Sequence, residues 1–380
     1  MTRTLETCHN VDDLRRAARK RAHRMVFDYI DGAADDEVAI RNNCASFRDY
    51  EIVHKVLTGA ERIDLSTTLL GHRMEVPFFL APSAGNRLFH KDGERAVAAA
   101  AAKVGTIYSL STLSTVSIEE IAALTGTPKF FQLYVWKDRG LVRDMLARAR
   151  AAGYAAMILT VDMPIAGNRE RDKHNRFTIP PKITPRQIVD ALRAPWWTLD
   201  YLTSPPITYA NYAARTKATS LARFFEDQLH AGFDWRDAEW LLGEWNGTSI
   251  LKGVVHPEDA ARAVALGFDG IMISNHGGRQ LDASPAPITM LRPLRDRIGN
   301  DAELIVDGGI RRCTDIIKAM AMGANAVSFA RPYLYGLAAG GQQGVERALD
   351  LFVTGLRRDM VLTGASSIAA LDESFIRYRG

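Results

Sequence analysis

Gly270-Ile271-Met272-Ile273-Ser274-Asn275-His276-Gly277-Gly278-Arg279 starts as a short apolar run and ends in groups that bind ligands. Upstream, Pro257 to Leu266 carries a helical pattern stopped by Gly267; downstream, Glu303 to Val306 is a second apolar run that ends Asp307-Gly308-Gly309-Ile310-Arg311. Equivalent runs at Val76–Pro82, Thr106–Leu110, Lys129–Val135, Ala155–Val161, Thr248–Val254 and Ala326–Phe329 bring the strand candidates to eight. Helical patterns lie between most of them, as at Glu94–Val104, Arg139–Ala152 and Thr314–Met322, with Gly105, Gly153 and Gly323 placed as C-terminal caps. Strand and helix alternating eight times predict an α/β fold, a closed parallel (β/α)8 TIM barrel within residues 76–375. Successive strands begin roughly 22 to 33 residues apart, the length of one strand, one helix and two loops, but about 90 residues separate the fourth from the fifth. Residues 180–233 are therefore an insertion on the side of the barrel where lids are built. Residues 1–75 read as an N-terminal arm that supplies no barrel strand and begins as a helix over Val11–Asp31.

Composition narrows the function classes. At 47% hydrophobic and 24% charged, the chain has material for a large core. A formal charge of +4, spread along the chain, gives no nucleic-acid footprint. Cys8, Cys44 and Cys313 form no CxxC or zinc spacing and their odd number gives no disulfide framework, so a reducing compartment fits and no metal site is expected. The basic residues between Arg15 and Arg24 are followed by no signal-peptide core, and Ala96–Ala102 falls far short of the roughly 20 residues of a bilayer span. A cytoplasmic location follows. The insertion mixes Trp196, Trp197, Tyr201, Tyr209 and Tyr212 with Lys182, Arg186, Arg193, Arg215 and Lys217. That mixture fits a peripheral contact with the inner face of the cell membrane and, equally, a lid packed on the barrel mouth or on a neighbouring subunit.

The polar residues gather where the strands end. Pro82-Ser83-Ala84, Ser111, Gln132 and Tyr134, Thr160 and Asp162, Lys252, Ser274 to Arg279, Asp307 to Arg311, and Ala330-Arg331 all close apolar runs. In a parallel barrel these ends share one rim, the catalytic face of the fold, and loop polarity alone would not put Gln132 and Lys252 inside apolar strands. At the last two strands Gly308-Gly309, Arg311 and Arg331 match the usual phosphate position, and a phosphorylated planar cofactor follows from it. Lys252 at the floor of such a site could stabilise negative charge on a reduced isoalloxazine. Alone, His276 would be a core histidine; flanked by Asn275, Gly277, Gly278 and Arg279 it becomes a base with a carboxylate clamp three residues on. Asp162 could orient its imidazole. Arg169 fits a second clamp or a solvated loop, and Tyr134 a substrate-binding phenol or an ordinary strand aromatic.

Four motifs resemble the FMN-dependent L-2-hydroxy acid dehydrogenase and oxidase family, which includes L-lactate dehydrogenases, mandelate dehydrogenase and glycolate oxidase. They are Ser274-Asn275-His276-Gly277-Gly278-Arg279-Gln280-Leu281-Asp282, Phe131-Gln132-Leu133-Tyr134, Leu159-Thr160-Val161-Asp162 and Asp307-Gly308-Gly309-Ile310-Arg311. Coverage runs from about residue 11 to about residue 375. The resemblance implies FMN held by Pro82, Ser83, Ala84, Ser111, Gln132, Thr160, Lys252 and Ser274, its phosphate on Gly309, Arg311 and Arg331. It implies Tyr29, Tyr134, Arg169 and Arg279 around the substrate, His276 as base, and a homotetramer. Two departures stand out: Ala330 replaces a phosphate-loop glycine, and Leu113 replaces an aromatic that lines the pocket in several oxidases. The implied reaction oxidises a lactate-like or mandelate-like acid to the 2-keto acid and passes electrons to a quinone or cytochrome; the alternative is an oxidase that makes H2O2 from O2. An FMN isomerase acting on a diphosphate, or a flavin sensor, would have no use for a base paired with Arg279.

Overall fold

The computed structural model describes residues 3–134, 136–177, 185–212 and 227–379. Eight parallel strands close into a barrel: β1 (Phe78–Leu80), β2 (Tyr108–Ser111), β3 (Lys129–Tyr134), β4 (Ala156–Thr160), β5 (Ser249–Val254), β6 (Gly270–Ile273), β7 (Glu303–Asp307) and β8 (Ala326–Phe329). Each falls on one of the eight runs read from the sequence. Such strands are buried on both faces and so read as continuous apolar segments. Phe79, Phe130, Ile158, Ile250, Met272 and Ile305 fill the barrel, while alternate residues such as Phe78, Leu80 and Phe131 pack outward on the helices. Burying each large apolar side chain contributes about 1.5–3 kcal/mol.

The crossover helices Gly93–Val104, Arg139–Ala151, Pro257–Leu266 and Cys313–Ala321 match their expected ranges within a residue or so. Gly105, Gly153, Gly267 and Gly323 follow them at positive φ, as C-terminal caps do. The arm departs from expectation. Instead of one helix over Val11–Asp31 there are two, Val11–Arg21 and Arg24–Asp31. Ala22 turns extended between them, and His23 Nδ1 accepts from Met25 N to start the second. A hairpin, Thr67–Leu69 with His72–Met74, seals the base of the barrel with Leu69 and Met74. Tyr50–Ile52 pairs antiparallel with Ile376–Tyr378 and ties the arm to the C-terminal end. The helix Arg331–Thr363 breaks at Gly340 and Gly341 and packs on Val11–Arg21.

Within the insertion the aromatic residues divide. Trp197, Tyr209 and Tyr212 are buried, Trp197 donating from Nε1 to Leu88 O at 2.7 Å. Ile188, Val189 and Leu192 of the Pro185–Arg193 helix, and Trp196, Leu199 and Leu202 of the Pro195–Leu202 helix, remain exposed. Lys182, Arg215 and Lys217 lie outside the described residues, as does the side chain of Arg186. No helix among the described residues is long and apolar enough to cross a membrane.

Candidate active site

A cavity of about 640 Å³ opens among the C-terminal ends of the strands. Pro82, Ser83 and Ala84 after β1, Gln132 and Tyr134 on β3, Thr160 on β4 and Lys252 on β5 line it. His276 and Arg279 after β6, Asp307, Gly308, Gly309 and Arg311 at β7, and Ala330 and Arg331 after β8 complete the rim. Tyr29 from the arm and Arg169 from the loop after β4 close the side. Ser111, Asp162 and Ser274 stand behind that lining, each bonded to a residue that is part of it.

Their bonds turn separate strand ends into one network. Ser111 Oγ donates to Gln132 Oε1 (3.0 Å), and Gln132 Nε2 donates to Thr160 Oγ1 (3.0 Å), linking β2, β3 and β4. Lys252 Nζ donates to Ser274 Oγ (2.9 Å) and pairs with Asp307 Oδ2 (3.0 Å). Asp307 also accepts from Ser274 Oγ and Ser328 Oγ, both at 2.7 Å. Burial disfavours the Lys252 ammonium, but Asp307 and Asp162 outweigh it and hold the pKa above its ordinary value. A fixed cation thus sits at the floor of the cavity.

His276 has a φ of 57°, and Gly277 and Gly278 continue in the left-handed region at 65° and 77°. That conformation costs a residue with a side chain about 1–2 kcal/mol, so the surroundings must impose it. His276 N donates to Ser274 Oγ (3.0 Å), Gly278 N to Asn275 Oδ1 (3.1 Å), and Arg331 Nη1 to Gly277 O (2.9 Å). Asn275 is locked in turn by Asn43 of the Val38–Ala45 helix: each Nδ2 donates to the other's Oδ1, at 2.8 and 2.7 Å. The loop aims the ring so that Nδ1 meets Asp162 Oδ1 at 2.9 Å, which leaves Nε2 for a ligand. Burial lowers the His276 pKa; Asp162 opposes that, while Lys252 and Arg169 reinforce it. The imidazole is therefore neutral at neutral pH. For Asp162 burial is outweighed by His276 and Lys252, which keep the carboxylate ionised.

Two guanidinium groups meet on the arm side. Arg279 Nη1 donates to Tyr29 O (2.6 Å) and Gly32 O (3.2 Å), and its charge lies 4.7 Å from the centre of the Tyr29 ring. Arg169 Nε donates to Arg279 O (3.4 Å), and its pKa is lowered by burial and by Arg279. Two cations facing one cavity make an anion site. Along the same rim lie the start of the helix at Arg331 and the loop Gly308-Gly309, whose φ values are 111° and 80°; Arg331 shares Gly32 O with Arg279, so this corner adjoins the first. A Cβ on Gly309 would stand 2.1 Å from Asn43 O, so only glycine fits there. Arg331 donates from Nε, Nη1 and Nη2 to Ile30 O, Gly277 O and Gly32 O, and burial lowers its pKa to about 10. Anion binding at this corner thus draws on Arg311, the glycine backbone and the helix end together with the Arg331 charge. A phosphate corner, a buried ammonium and a polar strand-end network in one cavity of this size fit FMN.

Three contributors carried little or no signal of their role in the sequence. Asn43 lies 232 residues from its partner. Gln280 was visible only as part of a motif; its side chain bonds Asp162 O, Ile165 O, Gly167 N and Arg169 Nη2 and so braces the loop after β4. Phe177 stacks on Tyr29, ring centres 4.6 Å apart and planes 9° apart, and no motif marks it.

Comparison with known proteins agrees with this geometry. The FMN-dependent dehydrogenase family matches residues 18–378. An L-lactate dehydrogenase of Caulobacter vibrioides is 39% identical over 372 residues, 97% of each chain. An L-lactate oxidase of Nostoc sp. PCC 7120 is 40% identical over 371 residues, again 97% of each chain. The crystal structure of the monotopic membrane protein (S)-mandelate dehydrogenase superposes with a TM-score of 0.94 at 36% identity, covering 98% of this chain and 100% of that one. The chain belongs to the FMN-dependent dehydrogenase family, as its motifs implied, and FMN is its cofactor.

Proposed function

We propose that the chain oxidises an L-2-hydroxy acid, lactate-like or mandelate-like, to the 2-keto acid and passes the electrons to a quinone or cytochrome. The observation that carries this reading is a neutral His276 braced by Asp162 in a cavity that also holds Arg169 and Arg279. Arg169, Arg279 and Tyr29 bind the substrate carboxylate. Oxidation removes two protons and two electrons from the substrate: His276 Nε2 takes one proton, Asp162 stabilises the imidazolium that forms, and the electron pair with the second proton would pass to the flavin. The Tyr134 phenol, its pKa raised by burial, keeps its proton and donates to the substrate oxygen. FMN supplies the two-electron acceptor. Ser83, Gln132, Thr160 and Lys252 would hold it, with Ser111 and Ser274 bracing them, and Gly309, Arg311, Ala330 and Arg331 would take its phosphate.

Leu113, Met163, Phe89 and Phe177 among the lining residues favour an apolar substrate side chain. The exposed apolar residues of the insertion support peripheral membrane contact, in keeping with a membrane-bound acceptor and a monotopic relative. The oligomer implied by the family completes the proposal. The similarity to an L-lactate oxidase keeps O2 as the alternative acceptor. Anaerobic addition of L-lactate, glycolate, L-mandelate and longer 2-hydroxy acids to the yellow protein should bleach the flavin band with at least one acid. No bleaching by any of them would overturn the reading, and peroxide formed at the rate of substrate loss would replace the dehydrogenase with the oxidase.

A further inference from the structure

The arm segment Tyr29-Ile30-Asp31-Gly32 is gripped from the barrel by three arginines. Arg279 and Arg331 take its backbone carbonyls. Arg171, on the Glu170–His174 helix that follows Arg169, takes the Asp31 side chain, Nη1 to Oδ2 at 3.0 Å. On the other side Arg15 donates to both Asp31 oxygens, Nη2 to Oδ2 at 2.9 Å, and Tyr335 OH donates to Oδ1 at 2.9 Å. Burial would raise the Asp31 pKa, but these donors bring it down to about 2.

Further ties join the same two segments. Arg171 Nη2 meets Glu37 Oε2 at 2.6 Å, Asn168 Nδ2 donates to Asp35 Oδ1 at 2.7 Å, and Asn175 Nδ2 donates to Asp28 Oδ2 at 2.7 Å. Asp31 is the one carboxylate of this seam that is buried, at 6% exposure. Desolvating an ion pair yields little net stability, since apolar packing would hold two elements together as well. What an ion pair adds is a fixed register between directional groups. Tyr29 lies two residues before Asp31, and Arg169 two residues before Arg171.

We infer that Asp31 is a positioning residue for the acid-binding end of the cavity: through Arg171 it sets the placement of Tyr29 against Arg169, and with it the affinity for the substrate carboxylate. This rests on the assignment of Tyr29 and Arg169 to the substrate under the proposed function. Arg15, on the Val11–Arg21 helix, shares Asp31 Oδ2 with Arg171, but its ion pairs run to Asp12 and Asp31 of the arm, so its loss is expected to cost stability and not substrate affinity.

The test uses FMN-loaded enzyme. Arg171 is 40% exposed, so Arg171→Gln cuts its ties to Asp31 and Glu37 without leaving a hole in the core, and Glu37→Gln, which removes only the second, should leave KM in place. Its KM for the best hydroxy acid should rise roughly tenfold, with kcat and FMN content held within about twofold. The Kd of the 2-keto acid product, read from the flavin spectrum, should rise by the same factor. Arg15→Gln should lower the Tm and leave KM in place. An unmoved KM in Arg171→Gln, an equal KM rise in Arg15→Gln, or loss of FMN from Arg171→Gln would each overturn the inference. A wild-type flavin that no 2-hydroxy acid reduces would instead overturn the proposed function, so the two failures are distinct.

Discussion

A buried histidine that is neutral at physiological pH can accept a proton at once, and His276 owes that state to burial beside Lys252 and Arg169. The sign of the pH dependence follows. As the proposed base, His276 works deprotonated, so kcat/KM should rise with pH through a pKa below the ordinary imidazole value of 6.5 and stay level through neutrality. Asp162 is the group that pulls this pKa up, so Asp162→Asn should move the acidic limb to still lower pH. It should also cost roughly a hundredfold or more in kcat, because the ring loses its orientation and its imidazolium loses the counter-charge. A pH profile of both enzymes checks this, and an acidic limb that shifts upward in the variant would refute the role of Asp162. His276 and Lys252 were legible because a charged or basic group at the end of an apolar strand has few structural reasons to be there. Asn43, Asp31 and Arg171 were not, since common polar residues on surface helices acquire meaning only from partners far along the chain.

The barrel strands were readable because each is apolar on both faces and ends abruptly in polar groups, as Gly270–Ile273 before Ser274 and Glu303–Val306 before Asp307 do. The arm was less readable. Strands of three residues such as Tyr50–Ile52 carry no periodicity, and the break at Ala22 and His23 falls in a stretch where the helical pattern continues on both sides. Yet the arm supplies the Val38–Ala45 helix, which Asp282 starts by accepting from Val38 N and Ala39 N, and which presents Asn43 to the base's loop. Asn43→Ala would leave the Asn275 amide short of partners in a buried site, a cost of about 1–3 kcal/mol set against the strained φ of His276. The expected result is a folded protein that keeps its FMN and loses at least about tenfold in kcat. Kinetics with a flavin spectrum measures both, and full activity in Asn43→Ala would show that the loop holds itself.

Taken together, the chain joins a closed catalytic barrel to an insertion that turns a greasy face outward. Leu192, Leu202 and Trp196 are 76%, 73% and 68% exposed, and the three belong to two consecutive helices. A face of this kind suits the boundary between headgroups and acyl chains. The protein should therefore sediment with anionic phospholipid vesicles, and Leu192→Glu with Leu199→Glu should return it to the supernatant at unchanged KM. Wild-type protein left in the supernatant would refute the membrane contact. The aromatic and basic mixture in the sequence could not separate a lid from a membrane face because the insertion carries both buried and exposed rings: Trp197, Tyr209 and Tyr212 are buried while Trp196 is exposed. The amide pair between Asn43 and Asn275 has one more consequence, for biosynthesis. Its halves are 232 residues apart, so during translation the early segment waits, unpaired, until the β6 loop has been made. A chain that stops short of residue 275 lacks His276 together with the second amide, and in a longer chain the loop gains its brace only when the two distant amides meet.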